Sequence, residues 1–240
     1  MFGVLRSPFL HCGSRSEKVR TLALESSGRI CRIAALSGPT PLCELELDST
    51  RRSAQTLAPG IQTILSRVGW TAQQLELIVV TQGPGSFTGL RIGVTTAKTL
   101  AYVTGAEVMG VNTLDAIAEQ AGQMPVWAVL DAQRQQLFAA LFTAGTGGAP
   151  TPFFPTQIID LDVWLGRLTP DAAVSGSGLA KILQRLPKEV AVVHEDLWNL
   201  RATTVGQLGL RQYQGGRRDD VWHMVPEYFR QSAAEEKRAK

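Results

Sequence analysis

The sequence predicts an α/β protein built as two related lobes, and three observations carry that expectation. Twice along the chain, short apolar runs of strand character are followed by segments of helical periodicity, an order that builds layered α/β domains. The 240 residues, 44% of them hydrophobic, are enough for one large domain or two ordinary lobes. Directly behind the apolar run LELIVV at 75–80 stands GPGSFTGLRIGV, residues 83–94, where four glycines and a proline place a tight loop and a helix start at a strand end.

The first strand is TLALESS, 21–27, which runs into Ser26, Ser27 and Gly28 and is followed by a second apolar run, ICRIAAL, at 30–36. A third strand, LCELELD, alternates acids with apolar residues. Ser49, Thr50 and Ser53 then offer caps for a helix whose apolar face is Leu57, Ile61, Ile64, Leu65 and Val68, with Pro59 close enough to the start to be tolerated. LELIVV is a buried strand, and TGLRIGVTTAKTLAYVT a second long helix that stops at Gly105. In the second half AEVMGV predicts a strand, TLDAIAEQAG a helix, and WAVLD and QQLFAALFTAG two strands. A loop is expected over 144–156, helices near 160–167 and 179–186, strands at AAVSGSG and VAVVH, a helical pattern in LWNLRATTVGQLGLRQYQ and a final extended VPEYFRQ. The expected division is an N-terminal extension over 1–20, a first lobe over 21–111, a second over 112–199, and a C-terminal helix and tail over 200–240 that returns to the first.

Composition excludes more than it selects. A net charge of +3 is compatible with work beside a nucleic acid but lacks the dense cationic stripe of a direct binder, and Arg51-Arg52, Arg217-Arg218 and the terminal EEKRAK read as scattered surface charge. Cys12, Cys31 and Cys43 show no paired spacing and leave an odd thiol, which points to a reducing compartment and a cytoplasmic location. No stretch approaches the roughly 20 apolar residues of a membrane helix, and MFGVLRSPFL makes a poor signal peptide because Ser7 and Pro8 break its apolar run. His11, His194 and His223 stand apart from one another and from any ligand-spaced cysteine, so a catalytic metal bound by this chain is not expected.

The glycine stretch fits neither of the common phosphate-cradle patterns, although strand, glycine loop and helix N-terminus leave weak binding of some anion open. A Walker loop needs Gly-Lys at its end, but Leu90 follows Gly89, Pro84 removes an amide donor, and Lys98 lies more than two turns along. The dinucleotide fingerprint fails too, its third glycine falling one position late. Ser86 has no G-x-S-x-G context and reads as a helix cap. Gly89, Gly93 and Ala97, spaced by four, form a smooth stripe on one helical face. Each interior glycine costs about 1 kcal/mol, so the stripe calls for a close contact, either inside the fold or with a partner's helix; we expect the partner. Glu25 and Asp131 are acids at strand ends, where α/β folds put function but also solvated termini. Gly176-Ser177-Gly178 is a second glycine turn able to approach a ligand.

GPGSFTGLRIGVTTAKTLA, 83–101, resembles the signature of the TsaB family, formerly called YeaZ, of bacterial tRNA-modification proteins. TLALESS, GVNTLDAIA at 110–118, VLDAQRQQLFAALF at 129–142 and VPEYFRQSAAE extend the resemblance over nearly everything from residue 21. It implies an actin-like (ASKHA, ribonuclease H-like) fold of two lobes and a non-catalytic subunit. That subunit pairs with its paralogue TsaD and, with TsaE, supports threonylcarbamoyl transfer to the adenosine beside the anticodon in tRNAs reading codons that begin with A. TsaD would hold the metal and active centre, tRNA would be met only through the complex, and a homodimer would form where TsaD is absent. The interface implied is Phe87, Gly89, Arg91, Gly93 and Ala97; Glu25, Ser26, Asp131, Gly176 and Gly178 would be a vestigial nucleotide site, with ATP or ADP accommodated at the junction with TsaD. The chain departs from the family in carrying Glu25 for the usual aspartate, Ser53-Ala54 for a His-Ser pair, and Asp131-Ala132-Gln133 with no glycine. The competing reading is a self-sufficient ATP-using phosphotransferase of the actin and sugar-kinase type. A peptidase, suggested only by the older naming of relatives as glycoproteases, has no nucleophile or metal motif behind it.

Overall fold

The computed structural model describes residues 18–48, 53–145 and 149–230. Most of the expected extension over 1–20, the caps Ser49 and Thr50, Arg51-Arg52 and the terminal EEKRAK lie outside them, as does the side chain of Ser53.

The first sheet is laid down by β1 (Arg20–Glu25), β2 (Arg32–Ser37) and β3 (Thr40–Glu46) as an antiparallel meander, to which β4 (Leu77–Gly83) and β5 (Glu107–Asn112) add in parallel beside β1. Its order is β3-β2-β1-β4-β5. The second sheet repeats the plan with β6 (Val126–Asp131), β7 (Gln136–Ala144), β8 (Pro150–Asp160) and β9 (Ala173–Ser175) in the order β8-β7-β6-β9, β9 parallel to β6. A single parallel bridge from Val174 to Val192 stands where the first sheet has its fifth strand.

Five α-helices cover these sheets among the described residues: α1 (Ser53–Arg67), α2 (Phe87–Thr104), α3 (Thr113–Ala121), α4 (Leu161–Leu165) and α5 (Ala202–Gln214). Strand alternation sorts the core. Ile78 and Val80 of β4 join Leu22, Leu24 and Ile33 under α1 and α2, while Leu77 and Val79 point the other way, into a cluster with α3 and α5. That second cluster continues into Val126, Ala128 and Leu130 of β6 and Phe138, Ala140 and Phe142 of β7, so α3 and α5 lie between the two sheets in one shared core. Trp127, Val129 and Leu137 face away, onto Trp164 of α4 and Leu179.

Several expectations are corrected. The stretch 144–156 belongs largely to β8, because an edge strand tolerates Pro152 and Pro155 at positions that need not donate to a neighbour. The helix expected near 179–186 is two 3₁₀ turns, Ser177–Lys181 and Leu183–Arg185, and VAVVH shrinks to the bridge at Val192. The extended VPEYFRQ forms no strand over its described residues; it is tied to Gln82 by a side-chain bond to the Val225 carbonyl (2.6 Å) and by the Glu227 amide donating to the Gln82 carbonyl (2.8 Å).

The largest correction concerns the small-residue stripe. Helix α2 begins as read, Ser86 accepting from the Gly89 amide at 3.3 Å, and ends at Gly105 in the left-handed conformation (φ 74°). Gly89, Gly93 and Ala97, however, are buried inside this chain. A β-carbon on Gly89 would stand 2.1 Å from the Ser26 carbonyl oxygen, and one on Gly93 2.0 Å from the Ser26 hydroxyl and 3.4 Å from Val80. The helix backbone rests on the β1–β2 turn and on β4, and no room is left there for a partner's helix.

Gly93→Ala is therefore expected to melt a few degrees below wild type: overpacking costs about 1–3 kcal/mol, and the gain in helix propensity, about 1 kcal/mol, recovers only part. Adding Ser26→Gly, which removes both offending atoms, should restore most of the loss in a double-mutant cycle by thermal unfolding. A Gly93→Ala chain melting at or above the wild-type temperature would contradict the packing.

Asp115, in the first turn of α3, is a pH-sensitive point in the shared core. Burial, and then the nearby Glu227 carboxylate, push its carboxyl up to about 6, with Arg217 opposing. An acid whose folded pKa is raised is held protonated by the fold, so its ionisation costs stability as pH rises from about 4 to about 6. Asp115→Asn should remove that slope and melt higher than wild type at pH 7 while matching it near pH 4. Equal loss at both pH values would show instead that the carboxylate is needed.

Candidate functional site

The two lobes enclose a cleft of about 960 Å³. One wall is the turn after β1, with Glu25, Ser27 and Gly28, and the loop Pro84–Thr88; the other is the end of β6 from Leu130 to Arg134, with Ser177 and Lys181. Residues Glu227–Arg230 line it as well.

Glu25 closes β1 and is 2% exposed. Its carboxyl accepts from the Ser27 amide at 2.8 Å and the Ser27 hydroxyl at 2.5 Å. Burial pushes its pKa up, against the two Ser27 bonds and the charge of Arg32. Arg32 is itself bound to Glu46 at 2.7 Å, so Glu25 has no dedicated cation. The same burial, with Glu25 beside it, pushes the Cys31 thiol up to about 12, so it stays a protonated, unreactive core group. Ser26 does not face the cleft: its amide donates to Thr81 Oγ1 at 3.1 Å and its buried hydroxyl lies against Gly93.

On the opposite wall Asp131 accepts from the Gln133 amide at 2.9 Å and pairs with Lys181. Gln133, Arg134 and Gln135 follow in the left-handed region, φ 62°, 52° and 59°, a conformation costing roughly 1–2 kcal/mol per residue without glycine. The glycines of the second turn answer to β6 rather than to a ligand. A β-carbon on Gly176 (φ 120°) would lie 2.1 Å from the Val129 carbonyl oxygen, and one on Gly178 3.0 Å from the Leu130 carbonyl carbon. Only Ser177 between them reaches the cleft wall.

The first glycine loop is likewise filled from within. A β-carbon on Gly83 would meet the Glu227 carbonyl oxygen at 2.4 Å, and one on Gly85 the Ser27 carbonyl oxygen at 2.6 Å. The Ser86 amide donates to that Ser27 carbonyl at 2.7 Å, the Gly89 amide to the Ser86 hydroxyl, and the Leu90 amide to the Ser86 carbonyl at 2.8 Å. The Ser86, Gly89 and Leu90 amides are thus committed to the chain's own oxygens.

Glu25 and Asp131 therefore share the cleft, whereas Ser26, Gly176 and Gly178 stand behind its walls. Phe87, which also lines the cleft, and Arg91 of α2 are engaged by the C-terminal segment: the Arg91 guanidinium sits 4.1 Å from the Phe87 ring centroid, Arg91 Nε donates to the Tyr228 hydroxyl at 2.8 Å, and the Phe87 and Tyr228 rings stack at 4.5 Å. Sequence reasoning assigned no role to Arg29, Lys181, Tyr228 or Arg230, all of which line the cleft. The tyrosine and Arg230 stood in VPEYFRQ, where extended character and a turn proline were the only local signals. Among the described residues no three histidine, cysteine, aspartate or glutamate side chains converge on a metal site, and no helix is long and apolar enough to cross a membrane.

The comparisons with known proteins agree with this architecture. Residues 47–149 match the family model described as TsaD, tRNA N6-adenosine threonylcarbamoyltransferase. The chain is 31% identical over 149 residues to the tRNA threonylcarbamoyladenosine biosynthesis protein TsaB of Bacillus subtilis (strain 168), covering 61% of this chain and 65% of that one. It is 31% identical over 134 residues to the TsaB of Escherichia coli (strain K12), covering 54% and 58%. The matches thus span somewhat less than two thirds of the length of these curated relatives. In fold it is similar to a Pseudomonas aeruginosa protein described as similar to the peptidase YEAZ, with TM-score 0.74 at 21% identity over 88% of this chain and 99% of that one. A structure described as YeaZ from Pseudomonas aeruginosa gives 0.71 at 21% identity over 87% and 99%. In sequence the chain is thus similar to the TsaB proteins, and in fold, with its two like-ordered sheets, to the YeaZ structures.

Proposed function

We propose that this chain is the non-catalytic TsaB-type subunit of a cytoplasmic tRNA-modifying complex. It pairs with TsaD and, with TsaE, supports transfer of the threonylcarbamoyl group to the adenosine beside the anticodon. The names borne by its relatives support the pathway. The observation that carries the non-catalytic part is the filling of the first glycine loop: Gly83, Gly85, Gly89 and Gly93 all abut the chain's own atoms, and the Ser86 and Gly89 amides already have acceptors. Asp131 paired with Lys181 supports the same reading, since a metal-bridging acid would need its charge free.

The pairing surface we propose is the outer face of α2, from Phe87 and Arg91 to Tyr102 and Val103, which are 69% and 65% exposed. A second copy would occupy it where TsaD is absent, and any ATP or ADP would lie at the junction. The reading stands if the chain, added to TsaD and TsaE, is required for threonylcarbamoyladenosine formation on tRNA and by itself turns over no ATP; ATP hydrolysis by the isolated chain would favour a phosphotransferase. Val103→Asp, placing a charge on the apolar face, should weaken co-elution with TsaD at least tenfold, about 1.4 kcal/mol, while leaving the melting temperature of the isolated chain unchanged. Undiminished binding would move the interface elsewhere.

Glu25→Gln keeps an oxygen acceptor for Ser27 and removes only the charge. It should leave threonylcarbamoylation by the reconstituted complex within a few-fold and leave stability at pH 7 equal or higher, because the buried carboxyl is disfavoured as an anion. A loss near a hundredfold, on the order of 2.7 kcal/mol, would give Glu25 a part in the chemistry.

A further inference from the structure

After α5 the chain runs along the first lobe and then crosses to the second. Arg217 donates to the Gly110 carbonyl and the Asp219 carboxylate accepts from the Gly110 amide, both at 2.8 Å. Lys98 of α2 donates to the Met224 carbonyl at 2.9 Å, and Gln82 at the end of β4 holds Val225 and Glu227. Tyr228 lies on Phe87 and Arg91. The next two residues belong to the other lobe: the Phe229 ring stands edge-on to Phe138 of β7 with centroids 6.3 Å apart, and the Arg230 guanidinium donates to the Ala132 carbonyl and to the Gln136 side chain.

Two features set this crossing apart from ordinary packing. It is held largely by polar bonds at the surface, with Val225 and Tyr228 59% and 42% exposed, which is the character of a segment that opens at low cost. And the acceptors taken by Arg230 bracket the three left-handed residues Gln133–Gln135, a turn with no glycine that holds its shape only if its surroundings impose it.

We infer that residues 225–230 are a clasp that ties the two lobes together beside the interlobe cleft and keeps the β6–β7 turn in its left-handed form, so that the lobes part there only when Arg230 lets go. Its two ends act as a unit. Tyr228 anchors it to the first lobe, and Arg230 latches it on the second.

Hydrogen–deuterium exchange on the full chain tests this. Arg230→Ala should speed exchange at least tenfold at the turn amides of Gln133 and Gln136 and also at Ser86, which Arg230 does not touch, with little change in melting temperature. Arg230→Lys should rescue poorly, because one ammonium does not span two acceptors on either side of the turn as a guanidinium fork does. Tyr228→Ala, a change in the first lobe alone, should speed the turn amides of the second. If Arg230→Ala affects only its immediate acceptors, or Tyr228→Ala leaves the turn as slow as wild type, the clasp does not exist as a unit. The Tyr228 variant keeps the question decidable should Arg230→Ala fail to fold.

Discussion

Everything in the first lobe is arranged around the contact between the backbone at Ser26–Ser27 and the glycine face of α2. Ordinary helix-on-sheet packing keeps side chains between the two layers. Here the Ser26 carbonyl and hydroxyl reach the helix backbone because Gly89 and Gly93 present no β-carbon. The contact is anchored from the other side, the Ser26 amide donating to Thr81 of β4 and the Ser27 carbonyl accepting from Ser86. The end of β1, the end of β4 and the start of α2 are thereby locked into one knot of backbone. Glu25 completes it as a buried acid whose acceptor oxygen holds the turn through Ser27.

That knot decides what the cleft can do. In an α/β protein the strand ends and helix N-termini bordering such a cleft are where anions bind, through amides left without partners. This chain keeps the topology but turns the Ser86 and Gly89 amides onto its own oxygens. The second lobe reaches the same result by another route, with Gly176 and Gly178 pressed against β6 and Asp131 neutralised by Lys181. Both glycine turns that border the cleft are thus packed against the chain's own backbone.

Periodicity made the architecture legible where residues repeat on one face. LELIVV, the α1 face from Leu57 to Leu65, and the Gly105 stop of α2 all follow from patterns that the fold also uses. It failed where long-range partners override local preference. Pro152 and Pro155 signal a loop by themselves, yet β7 offers a ladder that an edge strand can join without its full set of donors. The leucines near 179–186 carry helical spacing, but the chain there makes two 3₁₀ turns, Ser177–Lys181 and Leu183–Arg185. For the site, the sequence placed Glu25 and Asp131 correctly at strand ends. It could not say which neighbour the glycine stripe would meet, because a smooth face signals close approach without naming the approaching atom. Ser26, a polar residue on a turn, carried no local mark of being that atom.

The charge balance of the cleft follows from the same economy. Arg29, Arg134, Lys181 and Arg230 stand around it against Asp131 and Glu227, while Glu25 is disfavoured as an anion by its burial. Asp131 holds Lys181, and Arg230 is engaged with carbonyl and amide oxygens of the second lobe. The cations of the second wall are therefore used to tie elements together, one latching the 3₁₀ turn to the end of β6, another latching the C-terminal segment to the β6–β7 turn. The geometry of the two lobes is in that way held in part by charged residues that line the cleft between them.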